Sequence, residues 1–572
     1  TAYADSSNAV TLGVTVTPVN DAPVASGSLS LSAINEDTAA PGGATVASLA
    51  SGHYSDTTDT VSGGSSATAL GGMAIVGNTA DSVTQGVWKY STDNGTSWTV
   101  VPATVGDSSA LVLPTTAKIA FFPVANYAGT PGGLSVRLAD SAQTLSTSTD
   151  LSGVLGGTNT WSAAAIPLNT TVNPVNDLPS ITGLAGAPAL IEQQATPVRL
   201  DADGTASVAD PELNLSVSGW NGATLTVQRS GTASASDVFS FFDASGTAGD
   251  NNGVELSGAN LLVDGLTIGT VSNSGGQLVI TFNNNADATR VGTAMGAVAY
   301  RNTADVPPAT VQINFLLNDQ NSLTGGSGTA GSGQNQGSGG MLTALASVNV
   351  AITQVNDAPT LSGLDAVRSG NYLENGSVVQ IDGDAVLADP ELDANSWNKA
   401  TLTVARSGGA NADDVFGATG SLSLSGSGSG NVLVFGTVVG TYVQSGGQLT
   451  ITFNASATAA RADAVLQGLT YRNASEDPPA SVTLSYTVND QNPTTGGSGT
   501  AGSGVDQGTG GQLLASGEIV INITPVNDAP VFSAAPPAVA YTEQGTAVTV
   551  DGALTLSDVD DTTMNSANVT IG

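Results

Sequence analysis

Val19-Asn20-Asp21-Ala22-Pro23 returns as Val175-Asn176-Asp177-Leu178-Pro179, as Val355-Asn356-Asp357-Ala358-Pro359 and as Val526-Asn527-Asp528-Ala529-Pro530. Each copy follows an alternating, β-branched run, such as Val14-Thr15-Val16-Thr17 or Ile519-Val520-Ile521-Asn522-Ile523-Thr524. The phrase therefore falls where a strand leaves one unit and the chain passes into the next. Proline fixes one torsion and removes a donor, while Asn and Asp offer short oxygens that suit a turn or a hard cation. The phrase reads as a hinge. It predicts units at 22–177, 178–357 and 358–528, with residues 1–21 as the end of a preceding β-sandwich repeat and 529–572 as the beginning of a further one. Units of that size are ample for one core each and far longer than the periods of helical solenoids.

The chain of 572 residues has 47 acidic side chains against 12 basic ones, a formal charge of −35. That balance excludes nucleic acid and anionic membrane as partners and favours cations. Only 10% of residues are charged, yet Val, Ile, Leu and Phe recur in strand-like alternation, which speaks for many short strands over disorder. Without cysteine there is no disulfide framework and no thiolate metal site. No apolar run reaches the length of a membrane span, so no membrane insertion is expected within this segment. Tyr3-Ala4-Asp5 looks like the tail of an earlier repeat, and the chain is expected to be an internal piece of something longer.

In the first unit, Asp93-Asn94-Gly95 between Trp88 and Trp98 signals a hairpin with the two tryptophans on neighbouring strands. Lys118 to Phe122 and Leu134 to Leu138, joined through Asn126-Tyr127-Ala128-Gly129, suggest a second strand pair. The next two units are copies of each other. Leu225 to Gly231 matches Leu402 to Gly408, and Ser274 to Asn283 matches Ser445 to Asn454 with six residues lost between, placed near 241–252. Each copy predicts a short helix, around 286–299 and 457–469, followed by Pro307-Pro308 or Pro478-Pro479 and then a cleanly alternating strand. Glycine-rich stretches from Gly325 and from Gly496 read as exposed loops.

Calcium needs six to eight oxygens gathered from several segments, so a metal-binding hinge should be accompanied by carboxylates at fixed distances. Glutamates follow each hinge at Glu36, Glu192, Glu374 and Glu543. Beyond three of them comes a pair spaced by one residue: Asp210 with Glu212, Asp389 with Glu391, Asp558 with Asp560. Alternate residues of an extended chain face the same way, so each pair can serve one site. The first unit offers instead Asp56 and Asp59. A late acid closes the penultimate strand at Asp5, Asp140, Asp319 and Asp490.

This ordered set resembles the cadherin-like repeats in the stalks of giant bacterial surface proteins, and more distantly cadherin itself. The resemblance implies an all-β fold, a tandem array of Greek-key β-sandwich (cadherin-like or immunoglobulin-like) domains joined end to end. It also implies calcium at each junction. One junction would gather Asn176, Asp177, Asp210, Glu212 and Asp319 with Glu36 from the preceding unit; the next Asn356, Asp357, Asp389, Glu391 and Asp490 with Glu192; the last Asn527, Asp528, Asp558 and Asp560 with Glu374. Asn20 and Asp21 would be joined by Asp56, Asp59 and Asp140, the set that fits the pattern least well. The longer acidic hinge of cadherin is missing, which implies fewer or weaker ions. The implied role is a calcium-stiffened stalk or fibre segment of a secreted or surface-attached bacterial adhesin or biofilm-matrix protein. Its partners would be neighbouring repeats, other copies of itself in a fibre, and a surface glycan or protein ligand.

Bland and rival readings stand beside this one. The hinge and Asp-Pro-Glu could be metal-free turns. No enzyme is expected: the one histidine, His53, lies in a polar loop, and similar carboxylate pairs repeat in every unit where a glycosidase needs one pair in one cleft. Trp88, Trp98, Trp161, Trp220 and Trp397 could stack on sugars in a carbohydrate-binding array, or could fill cores. A filament or sheath packed laterally through the glycine-rich loops is the other alternative.

Overall fold

The computed structural model describes residues 13–15, 17–60, 66–141, 148–215, 219–242, 253–321, 336–492, 507–533 and 538–570. Its ordered elements are almost entirely strands. The clean alternations become half-buried strands: in Thr310–Asn318 the buried side chains are Val311, Ile313, Phe315 and Leu317, with polar residues between them facing out.

Three sandwiches follow along the chain. In the first, a four-stranded sheet in the order Ala44–Thr45, Lys118–Pro123, Gly86–Ser91, Thr99–Val100 faces a six-stranded one. The latter runs Ser148–Thr149, Ala110–Pro114, Leu70–Asn78, Leu134–Asp140, Ile166–Asn169, Leu29–Ser30. Trp88 and Phe121 from one sheet meet Met73, Ile75 and Val136 from the other in a shared core. The second and third sandwiches each set an eight-stranded sheet against a three-stranded one in the same order. A short helix, Ala288–Gly296 or Ala459–Gln467, closes one side of each core with Val291, Ala294 and Met295 or Ala462, Val465 and Leu466. In all three a strand near the start of the unit pairs parallel with one near its end: Leu29 with Leu168, Leu190 with Ile352, Tyr372 with Ile523.

Several expectations need correction. Lys118–Pro123 and Leu134–Asp140 do not pair; they belong to opposite sheets, and the connection through Asn126 crosses the sandwich. Alternation reveals that a segment is a strand but not which sheet takes it. Trp98 precedes its strand, Thr99–Val100, so only Trp88 sits in the ladder. Around Val14 the described residues form no strand; a strand exists through its pairing, and Val14 is 83% exposed. The six-residue loss is two changes: the connection 242–253 shrinks to 419–421, and the next hairpin grows, since Val254 pairs with Val263 whereas Leu422 pairs with Val434. The glycine-rich loops at 322–335 and 493–506, like Asp5, lie outside the described residues. Trp88, Trp161, Trp220 and Trp397 are all buried, so four of the five tryptophans fill cores.

Candidate metal centres

The repeated phrase is pinned, not hinged. In the second copy three successive backbone N–H groups are taken: Val175 donates to Glu36 Oε1 at 2.5 Å, Asn176 to the Ser338 carbonyl at 2.8 Å and Asp177 to Glu212 Oε2 at 3.1 Å. The Asn176 side chain donates to Asp319 Oδ2 at 2.6 Å and to the Gly340 carbonyl at 2.9 Å. The third copy repeats this through Val355 to Glu192 (2.8 Å), Asn356 to the Thr509 carbonyl (2.7 Å), and the Asn356 side chain to Asp490 Oδ2 (2.6 Å) and the Gly511 carbonyl (3.0 Å). At the fourth, Val526 donates to Glu374 Oε2 at 2.7 Å and Asp528 to Asp560, while the Asn527 side chain bonds only the Asp528 carbonyl. The first copy keeps the plan at Asn20 and Asp21, and departs from it at Asp56. Asn20 donates to Asp140 Oδ2 at 2.9 Å, Asp21 to Asp59 Oδ1 at 2.7 Å, and Asp56 accepts from Thr68 N and Oγ1.

The acidic pairs do not lie on extended chain. Asp389 is the N-cap of the short helix Pro390–Ala394, its Oδ1 accepting from Leu392 N at 2.9 Å, because proline at the first helical position is preset for that turn. Asp210 Oδ1 likewise accepts from Glu212 N and Leu213 N, and Asp558 Oδ1 from Asp560 N and Asp561 N. The turn uses one oxygen and leaves the other: Asp210 Oδ2 and Asp389 Oδ2 are buried without a hydrogen-bond partner. A buried tryptophan locks each turn, Trp220 Nε1 donating to Asn214 Oδ1 and Trp397 Nε1 to Asp393 Oδ1.

Buried acceptors with no donor collect here. Among the described residues they include Asp56 Oδ1, Asn176 Oδ1, Asp177 Oδ2, Glu192 Oε1, Asn356 Oδ1, Asp357 Oδ2, Glu374 Oε1, both Glu391 oxygens and Asp528 Oδ2. Every one is an oxygen, and the four ion pairs among the described residues all lie elsewhere. Leaving one buried acceptor unpaired costs about 1–3 kcal/mol, and more where it is charged. Oxygens of Glu192, Asp357 and Glu391 lie within 4.8 Å of one another, as do those of Glu374, Asp528 and Asp560. Burial, with neighbouring carboxylates adding to it, lifts Glu212 and Glu391 to about 8, Glu192 to about 7 and Asp210 and Asp389 to about 6. Glu36, Asp177 and Asp357 shift up for the same first cause. A divalent cation would satisfy such a donor set, because it supplies the positive charge that no ion pair among the described residues brings there.

The acids named for the four copies of the phrase gather beside them, Glu543 and Asp5 apart, and others join them. Asp305 raises Asp357 and Glu192 electrostatically, Glu476 does so for Asp528, and Asp37 for Asp177. Asn321 and Gln336, with their counterparts Asn492 and Gln507, are buried beside the late aspartates, each with an unpartnered side-chain oxygen. The signal for them is in the repeat itself, since acid or amide recurs at each matching position of the two copies.

No family model matches the sequence, and no curated protein matches it. Solved structures similar to it are cadherin ectodomain chains. A protocadherin gammaB7 EC3-6 cis-dimer structure is 12% identical with a TM-score of 0.28, over 80% of this chain and 70% of that one. Mouse cadherin-23 EC22-24 is 12% identical at 0.24, over 89% and 100%, and Drosophila N-cadherin EC1-4 is 10% identical at 0.20, over 89% and 76%. Likenesses this low do not extend to a site or an activity.

Proposed function

We propose that this chain is a stretch of an extracellular repeat array, with units at 22–177, 178–357 and 358–528 flanked by parts of two more, whose junctions hold calcium. Its place is a secreted or surface-attached adhesin or matrix protein of the bacterial kind, and its work is mechanical and adhesive, not catalytic. The observation that supports this is the recurrence, at successive copies of the phrase, of buried carboxylate and amide oxygens that have no hydrogen-bond donor among the described residues. The residues that would hold the ion are Asn20, Asp21, Asp56, Asp59 and Asp140 at the first junction. At the second they are Glu36, Asn176, Asp177, Asp210, Glu212 and Asp319, and at the third Glu192, Asn356, Asp357, Asp389, Glu391 and Asp490. Glu374, Asn527, Asp528, Asp558 and Asp560 serve the fourth.

Extracellular modules bind calcium with dissociation constants of roughly 10⁻⁴ to 10⁻³ M, so the sites would fill outside a cell and empty inside it. Filling would stabilise the units on both sides of a junction by linkage. Calorimetric titration should show calcium uptake, and chelation should lower the melting temperature and broaden the small-angle scattering distance distribution. A melt and a scattering profile that ignore the chelator would end this reading. A carbohydrate-binding array is not favoured, because four of the five tryptophans are core residues.

A further inference from the structure

Trp98 is the exception, and it stands in unusual company. The chain has three lysines, and two of them, Lys89 and Lys118, lie on the outer face of the four-stranded sheet in the first sandwich. Lys89 is opposite Ala120 and Lys118 opposite Ser91, which makes them diagonal cross-strand neighbours about 7–8 Å apart. Neither takes part in an ion pair among the described residues, although acids outnumber basic groups 47 to 12. Lys89 Nζ sits 4.2 Å above the Phe122 ring, and Lys118 Nζ donates to the Asn94 carbonyl at 3.3 Å. The Trp98 indole packs edge-on against Phe122, centroids 5.4 Å apart and planes at 66°. It lies over Gly43, where a Cβ would come within 2.8 Å of the ring. Asp93 fixes the loop beneath by accepting from Ser97 N, Ser97 Oγ and Ser91 Oγ. All four side chains, Trp98, Phe122, Lys89 and Lys118, remain partly exposed.

We propose that this face binds an acidic polysaccharide, with a sugar ring over Trp98 and its carboxylates met by Lys89 and Lys118. Aromatic faces take the C–H side of a sugar, and a pair of unneutralised ammonium groups beside one selects sugars that carry negative charge. At physiological salt the screening length is about 8 Å, so a ligand on this face responds to the two lysines and to Asp93 in the loop beneath, and little to acids farther away. A second copy of the chain is a poorer occupant, since two bodies of charge −35 repel. A nucleic acid would need many more phosphate contacts than two lysines supply.

The test uses the full chain in chelator at about 0.15 M salt, with polygalacturonate as the probe and dextran as the neutral control. In affinity electrophoresis polygalacturonate should retard the chain and dextran should not. The effect should fade as salt rises and weaken about fivefold or more in a Lys89→Gln/Lys118→Gln variant whose melting is unchanged. Chelator removes calcium bridging, so the outcome is independent of the junctions. Equal retardation of the variant, or none of the parent, overturns the proposal. Self-association in sedimentation that the variant loses would assign the face to a second copy and overturn it as well.

Discussion

Replacing Glu391 by Gln should change sign with calcium. Glu391 is 1% exposed, neither of its carboxylate oxygens has a hydrogen-bond partner, and oxygens of Glu192 and Asp357 lie within 4.8 Å. Burial and then the nearby Asp389 charge lift it from the ordinary 4.5 to about 8. A folded-state pKa above the unfolded one means that the folded chain keeps its proton longer. The associated stability is therefore full below about pH 4.5 and drains away as pH climbs toward 8. At 1.36 kcal/mol per unit, the ion-free protein at pH 8 gives up roughly 4 kcal/mol to this group, an upper figure for a site that can relax. Gln carries no charge to desolvate, so in chelator at pH 8 Glu391→Gln should be the more stable protein by about 2–4 kcal/mol. At a thousandfold excess of calcium over the dissociation constant the order reverses, because the parent gains about 4.1 kcal/mol and the variant, short of one carboxylate ligand, forfeits nearly all of it. Differential scanning calorimetry of the full chain, with and without calcium, follows the transition of the third sandwich. A substitution that destabilises in chelator, or stabilises equally in both buffers, would refute the reasoning.

In chelator the chain should melt at progressively lower temperature from pH 5 to pH 8, because Asp210 and Asp389 (about 6), Glu192 (about 7) and Glu212 and Glu391 (about 8) must ionise without a partner. Calcium should flatten that slope and release protons on binding near pH 7, measurable by titration in buffers of different ionisation enthalpy. Tyr486→Phe should stabilise the third sandwich by about 1–2 kcal/mol in chemical denaturation, since its hydroxyl is buried without a partner and the matching residue of the second sandwich is Phe315. Arg406→Met should cost about 3–5 kcal/mol, because it strips the bidentate partner from fully buried Asp414, which also holds Tyr471 and Asn473. Adding Asp414→Asn should return part of that loss, and a double-mutant cycle without such recovery would count against the assignment.

Much of this arrangement is legible in the residues. Alternation marks the strands, repetition marks the copies, and the ordered acids mark where carboxylates gather beside the repeated phrase, down to Asp59, whose bond from Asp21 N matches that of Glu212 from Asp177 N, while Asp56 bonds Thr68 where Asp210 caps its own turn. What stays hidden has a physical reason in each case. Period two cannot say which sheet receives Leu134–Asp140. Asp389-Pro390-Glu391 reads as extended chain until proline's preset torsion is weighed against the alternation rule. Asn321 and Gln336 are separated by low-complexity sequence, and only the folded chain brings both to Asp319.

The parallel pairing of Leu190 with Ile352, and of Tyr372 with Ile523, has a consequence under tension. The second strand of each of these units, Ala189–Ile191 or Tyr372–Leu373, lies beside the strand through which the chain departs, both pointing the same way. A pull on the two ends of the polypeptide therefore drags these neighbours past each other lengthwise, loading their rungs together in shear where a hairpin would unzip one rung at a time. Each sandwich is wired to resist stretching along its own contour, and its lifetime under load is set by the barrier to that sliding and not by its equilibrium stability.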